Sequence, residues 1–219
     1  MQSYNVAAGG KHSVCGVRRP AGLPFPAVTT GSLLLYPADP GGEPPDAPAV
    51  ARTLAMLGLT GDLLAAPATY RAGPAFLRHV TFLGCAPHLV LEPPVDGGAA
   101  FSHVAIAGPF AAPRLVVGTN TAAPRCPACR ARLEGWRAAL AGWVDDPLAA
   151  RARCPGCGAA QRPADLDWRD SAAVGRLFVE VRNVFPGEAV PGDELLAALH
   201  GLGGGAWRYA WVSGLPASG

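Results

Sequence analysis

The sequence predicts an α+β fold, a mixed or antiparallel sheet with few short helices, interrupted by an inserted cysteine-bearing module. Three observations favour this prediction. Half of the 219 residues are apolar and only 16% are charged, which is enough to build a substantial core. Glycine and proline are frequent, at 28 and 23 residues, and indicate short elements joined by many turns. Strand-like runs stand on both sides of two closely spaced cysteine pairs.

The first part of the α+β domain is predicted to cover residues 1–122. Its first segment, residues 1–31, is interpreted as an irregular arm, because glycine and proline interrupt any regular period there. The elements predicted after the arm are a helix over 50–59 and strands over 33–36, 79–84, 101–107 and 115–117.

The last part, residues 164–219, is predicted to complete the domain as strand, helix and strand. Residues 176–185 alternate as a strand does, and residues 207–212 form an aromatic, strand-like run. The helix DELLAALH lies between them, with Asp193 predicted as its N-cap and Gly201 as a left-handed stop.

The inserted module, residues 123–163, contains the pairs CPAC and CPGC, separated by residues 130–153. Two thiolate pairs of this kind can enclose a tetrahedral ion, and the proline and glycine permit tight turns whose N–H groups face the sulfurs. The predicted ligands are Cys126, Cys129, Cys154 and Cys157. The predicted cofactor is one structural zinc ion per chain, because four thiolates leave no open coordination position.

Other chemistry is open to the same cysteines. A thioredoxin-like redox pair is disfavoured, because two pairs occur in one module. Rubredoxin-type iron is closer, since CPGCG resembles one of its knuckles, but Arg130 follows the first pair where glycine would be expected. An iron–sulfur cluster is also compatible with the spacing.

The segment between the pairs carries one apolar stripe at helical spacing, formed by Leu133, Trp136, Leu140 and Trp143. We interpret the tryptophans as packing the module against the main domain, with a partner-binding face as the alternative. Residues 125–162 also hold seven arginines against three acidic residues. The first interpretation is that these arginines balance the thiolates and solvate the surface, and the second is phosphate binding.

A second candidate site follows the predicted strand over 79–84. Cys85 could act as a nucleophile with His79, His88 or His103 as its base, or Cys85 and His88 could ligate a second metal. The alternative is a buried cysteine beside a turn histidine, because free cysteines are among the most buried residue types.

The charge and hydropathy patterns disfavour three classes: nucleic-acid-binding, secreted and membrane-spanning proteins. A net charge of +2 is not the footprint of a nucleic-acid-binding protein. The first residues lack the pattern of a secretory signal, and no apolar run is long enough to span a membrane. Cysteines arranged in two tight pairs favour a metal site over disulfides, and hence a reducing cytoplasm.

The run HVTFLGCAPHL, the pairs CPAC and CPGCG, and the tail from DWRDSAAV to WRYAWV together resemble an uncharacterised family of small proteins from Gram-negative bacteria. The resemblance covers about the second two-thirds of the chain and implies no activity. The paired knuckles resemble a zinc ribbon, a module that serves transcription, translation, enzymes and adaptors alike.

The leading hypothesis is therefore a cytoplasmic, zinc-stabilised binding or adaptor protein with a protein partner and no membrane association. One alternative is an enzyme that uses Cys85 with His88 or His103. The other is nucleic-acid binding through the arginine-rich module.

Overall fold

The computed structural model of the protein describes residues 31–83, 89–95, 100–144 and 146–214. Within these ranges the fold is α+β, as predicted. The strands β1 to β12 are, in chain order, Gly31–Pro37, Thr60–Ala65, Thr69–Ala72, Val80–Phe82, His103–Ala107, Arg114–Val117, Ala152–Arg153, Ala160–Gln161, Ala172–Gly175, Phe178–Val184, Ala189–Pro191 and Trp207–Ser213. The helices α1 to α4 are Ala47–Met56, Phe76–His79, Trp136–Val144 and Asp193–His200.

The main sheet has six strands in the order β12-β1-β10-β5-β3-β2, and every neighbouring pair is antiparallel. Its centre therefore joins strands from both ends of the chain, with β1 lying between β10 and β12. Three two-stranded sheets, β4–β11, β6–β9 and β7–β8, lie outside it. Of the two sheet types that the sequence left open, the antiparallel one is observed.

The two faces of the main sheet have different partners, because side chains alternate along each strand. Leu33 and Leu35 of β1 belong to the larger core, which also includes Val50 of α1 and Leu195 of α4. On the other face, Leu34 and Tyr36 pack with Ala173 of β9. Three helices, α1, α2 and α4, thus cover one face, and the β6–β9 sheet covers part of the other.

Most of the elements predicted from the sequence are confirmed. The strands predicted over 33–36, 101–107, 115–117, 176–185 and 207–212 correspond to β1, β5, β6, β10 and β12. The helix predicted over 50–59 is α1, which begins earlier because the Asp46 side chain accepts the Ala49 N–H at 3.2 Å.

The predicted helix DELLAALH is α4, Asp193–His200, but the predictions about its two caps were wrong. Gly192 is the N-cap, and Asp193 lies in the first turn. The backbone explains this, because the Gly192 N–H donates to the His79 carbonyl at 2.7 Å and so fixes the chain one residue earlier. Gly201 is right-handed, with φ −66°, and the left-handed residues come later, at 203–205.

The strand predicted over 79–84 is shorter than expected. His79 is instead the last residue of α2, and β4 covers only three residues. The His79 ring is buried, with Nε2 2.9 Å from the Leu57 carbonyl oxygen. None of the helices in the described ranges has the length and hydropathy needed to cross a bilayer.

Candidate metal centre

The four predicted ligands come together in space. The Sγ atoms of Cys126, Cys129, Cys154 and Cys157 all lie within 4.8 Å of one another. The Cys126–Cys157 and Cys129–Cys154 sulfur pairs are 3.9 and 3.4 Å apart, far longer than the roughly 2.05 Å of a disulfide. Bonds of about 2.3 Å to a tetrahedral zinc would separate sulfurs by roughly 3.8 Å. The cluster therefore fits a metal ion.

Each cysteine pair lies in a tight turn that we call a knuckle, the first at residues 126–131 and the second at residues 154–159. In the first, the Cys126 N–H donates to the Ala131 carbonyl, and the Arg130 N–H donates back to Cys126, both at 2.9 Å. The same two bonds recur in the second knuckle at Cys154 and Gly158. Local hydrogen bonding thus preforms both halves of the site.

Backbone N–H groups also stabilise negative charge on the sulfurs. Those of Cys157 and Gly156 lower the pKa of the Cys154 thiol to about 6, against the effect of burial. At Cys129 the Ala131 N–H lowers the pKa, but the neighbouring sulfurs, chiefly Cys154, and burial outweigh it and raise the pKa to about 12. The Cys129 thiol therefore keeps its proton in the cluster, and a bound cation would displace that proton.

One edge of the cluster faces solvent. Cys126 and Cys154, the first residues of the two pairs, are buried, whereas Cys129 and Cys157 are exposed. Two further cysteines of the sequence, Cys15 and Cys85, lie outside the described residues. The donor set therefore consists of two sulfurs from the interior of the module and two from its surface.

The buried side of the cluster rests on three tryptophans. The rings of Trp136 and Trp143 meet that of Trp168 edge to face, with centroids 5.2 and 6.4 Å apart. All three side chains are buried in one cluster with Cys126 and Cys154. The burial of Trp136 and Trp143 agrees with the interpretation that they pack in the interior rather than form an exposed partner-binding face. The sequence interpretation missed Trp168, because DLDWRD resembles a polar turn.

A shallow apolar groove lies beside these tryptophans, and we call it the α3 groove. It has a volume of about 290 Å³ and runs between α3 and β7. Trp136 and Trp143 line it, Arg151 and Arg153 stand on its β7 side, and Pro155 of the second knuckle closes one end. Because Pro155 belongs to that knuckle, the groove borders the cysteine cluster.

Most arginines of the module already have partners, either in the module or in the segments beside it. Arg130 and Arg162 pair with Asp167 and Asp165 at 2.8 and 2.6 Å. Four others have nearby backbone oxygens, an aromatic ring or a carboxylate as partners: Arg132 with Glu134, Arg137 with Thr121 and Trp136, Arg151 with residues 148–150, and Arg153 with Gly158. The buried Nε of Arg125 has no hydrogen-bond partner among the described residues. These contacts favour the interpretation that the arginines balance and solvate the module.

The alternative catalytic site is described only in part. Cys85 and His88 lie outside the described residues, so their pairing with His103 stays a prediction. His103 is buried on β5, where its Nδ1 lies 2.8 Å from the Phe101 carbonyl oxygen. Burial lowers the pKa of this histidine, which favours the neutral ring.

No protein-family model matches the sequence, and no curated protein or solved structure matches it either. The functional argument therefore depends on the residues of this chain. The division into residues 1–122, 123–163 and 164–219 likewise stays a prediction.

Proposed function

We propose that this protein is a metal-stabilised binding protein in which four cysteines hold one structural zinc ion beside a surface that contacts a protein partner. The mutual approach of the four Sγ atoms to within 4.8 Å supports this proposal more than any other observation. Bound zinc would cross-link the two knuckles, which is a structural and not a catalytic contribution.

The local architecture supports a zinc-ribbon-like interpretation. The second knuckle lies between the paired strands β7 and β8, and the first lies beside a β-bridge between Arg125 and Arg132. Strands of two residues have little stability of their own. Structural zinc contributes about 10–16 kcal/mol of apparent binding free energy in zinc-finger peptides, so a metal would be the main stabilising element here.

The α3 groove supports a protein partner. Apolar side chains line it and Arg151 and Arg153 stand at its rim, a combination typical of protein interfaces. We propose the cytoplasm as its location, because unpaired thiols persist in a reducing compartment. The enzyme and nucleic-acid alternatives have no comparable support from the described residues.

The metal is tested by elemental analysis of the purified protein, together with thiol titration before and after chelation. We expect one zinc per chain and four thiols that react only after the metal is removed. Iron, or four thiols that react equally fast with and without chelator, would contradict the proposal.

The partner surface is tested separately by quantitative affinity capture from the native host. Ala139 lines the α3 groove and is exposed, so Ala139→Glu places a charge inside it. Ala138→Glu is the matched control, because Ala138 is exposed on the same helix outside the groove. We expect Ala139→Glu alone to release a specific partner. Equal capture by both variants would remove the groove as the contact.

A further inference from the structure

A second candidate site lies on the main sheet, where it meets the turn that follows the metal module. A narrow cleft of about 30 Å³ opens there between β1, β12 and residues 168–170. Tyr36 of β1 and Arg208 of β12 stand directly opposite each other in the sheet register, and both line the cleft. This space holds one small polar group and no more.

The Tyr36 hydroxyl lines the floor of the cleft and is accessible from it. Tyr36 is only 6% exposed, and its hydroxyl makes no hydrogen bond within the part of the chain that the structure describes. The hydroxyl is therefore free to donate a hydrogen bond to a group that enters the cleft. Burial raises the pKa of Tyr36, with Arg208 opposing and Asp170 reinforcing the shift, so the hydroxyl keeps its proton and can donate.

Three charged side chains surround this hydroxyl. Arg169, Asp170 and Arg208 are exposed and line the cleft. None of the three side chains forms an ion pair or a hydrogen bond with another described residue. Two guanidinium groups against one carboxylate leave the cleft with an excess of one positive charge.

The turn that presents two of these charges has an unfavourable backbone. Arg169 and Asp170 have φ angles of 50° and 53°, and the Ser171 N–H donates to the Trp168 carbonyl at 3.1 Å. Consecutive left-handed residues in a four-residue turn are usually Asn-Gly, because other residues are strained there. The Trp211 N–H holds the turn by donating to the Asp170 carbonyl at 2.7 Å. Strained residues held by their surroundings are concentrated at functional sites.

We propose that this cleft binds the oxyanion group of a small ligand, a carboxylate or a phosphate. The Tyr36 hydroxyl and the guanidinium groups of Arg169 and Arg208 donate to its oxygens, since charge-assisted bonds of this kind are the strongest available. Asp170 restrains the affinity for highly charged anions and accepts a hydrogen bond from a donor on the same ligand. The rest of the ligand lies outside the cleft.

The test uses the full-length, metal-loaded protein and two probes, inorganic phosphate and acetate, at constant ionic strength. Trp168 lines the cleft, so its fluorescence reports binding, and calorimetry gives the stoichiometry. We expect saturation at one site with at least one probe and none with chloride. Tighter binding of phosphate indicates a phosphate ligand, and tighter binding of acetate indicates a carboxylate. No saturation with either probe overturns the proposal.

Variants separate this site from general charge effects. Arg208→Gln should weaken binding about tenfold, as expected for a charge-assisted hydrogen bond. Asp170→Asn should strengthen it, because a repulsive charge is removed. Arg52→Gln removes an exposed charge from α1 and should leave binding unchanged. Equal losses in the Arg208 and Arg52 variants overturn the proposal.

Tyr36→Phe provides the most specific test, because it removes only the hydroxyl and should weaken binding severalfold. If this buried variant fails to fold, the exposed Arg208 and Asp170 variants decide the outcome by their opposite effects on affinity.

Discussion

The two knuckles have the same hydrogen bonds but different residues at two equivalent positions. The fifth residue of each turn is left-handed, and it is Arg130 in the first knuckle, with φ 64°, and Gly158 in the second, with φ 72°. The third residue is Ala128 in the first and Gly156 in the second. The two knuckles therefore reach the same turn geometry with different residues.

The contacts of the two knuckles explain both differences. A Cβ at Gly156 would lie 2.8 Å from the Ala131 side chain, so the second knuckle needs glycine where it meets the first. At Arg130, the ion pair with Asp167, at 2.8 Å, offsets the cost of the left-handed backbone. The first knuckle thus has a non-glycine residue at its left-handed position, and the side chain of that residue contacts the segment after the module.

The largest expected effect tests whether both knuckles are needed for one site. Cys126→Ser and Cys154→Ser each remove a buried sulfur, and we expect both variants to lose the metal and about 10 kcal/mol or more of metal-linked stability. The fluorescence of Trp136, Trp143 and Trp168 should shift to the red, while the far-UV signal of the main sheet should persist. Metal retention by one variant alone would show that the knuckles are not equivalent.

Gly156→Ala should have the next largest effect. The added methyl group would overlap Ala131, and overpacking of this kind costs about 1–3 kcal/mol. Competition with a chelator should show faster loss of metal than from the unmodified protein. Ala128→Gly, at the equivalent position of the first knuckle, is the matched control and should change the metal affinity less. The reverse order would refute the proposed contact between knuckles.

Gly158→Ala should have a smaller effect that arises from the backbone alone. Nothing lies within 4 Å of a Cβ at this position, but the left-handed conformation costs a non-glycine residue about 1–2 kcal/mol. Thermal unfolding of the loaded protein would measure it. Gly142→Ala is the control, because Gly142 also has open space but is helical, and alanine should stabilise it by about 0.5–1 kcal/mol. Equal effects would exclude the backbone explanation.

Substitutions at position 130 should have the smallest effect on stability, and alanine and glycine should differ clearly there. Arg130→Ala removes the ion pair with Asp167 and keeps the left-handed strain, so it should destabilise by up to about 1 kcal/mol. Arg130→Gly removes both the ion pair and the strain, so the stability lost with the ion pair and the stability gained by relieving the strain should nearly cancel. The measurement is the difference in unfolding free energy between the two variants, with glycine expected to be more stable. A more stable alanine variant would mean that the strain is absent.

The strands that were predicted from the sequence are those whose own residues show a strand-like pattern. β1 and β12 are continuous apolar or aromatic runs, so their type follows from local pattern. The β2–β3 hairpin was missed because β2 is an exposed edge strand without regular alternation. Its pairing depends on β5, which contacts β3 from a distant part of the sequence.

The four-cysteine cluster was predictable because the spacing within each pair is local, whereas the residues that support it were not. Trp168 packs against the module through an edge-to-face contact with Trp136. No periodic pattern in the sequence predicts this contact. The cleft around Tyr36 was missed for the same reason, since Tyr36 meets Arg208 only through the strand register.

The order of strands in the main sheet has a consequence for how the chain folds as it is synthesised. β1 begins at Gly31, but both of its neighbours, β10 and β12, are made only after the second knuckle. Translation adds about 5–20 residues per second, so β10 is synthesised about 7–30 s after β1. The two knuckles are complete before then, and metal capture can precede closure of the sheet. Metal supply during translation should therefore influence the yield of folded protein more than metal added afterwards.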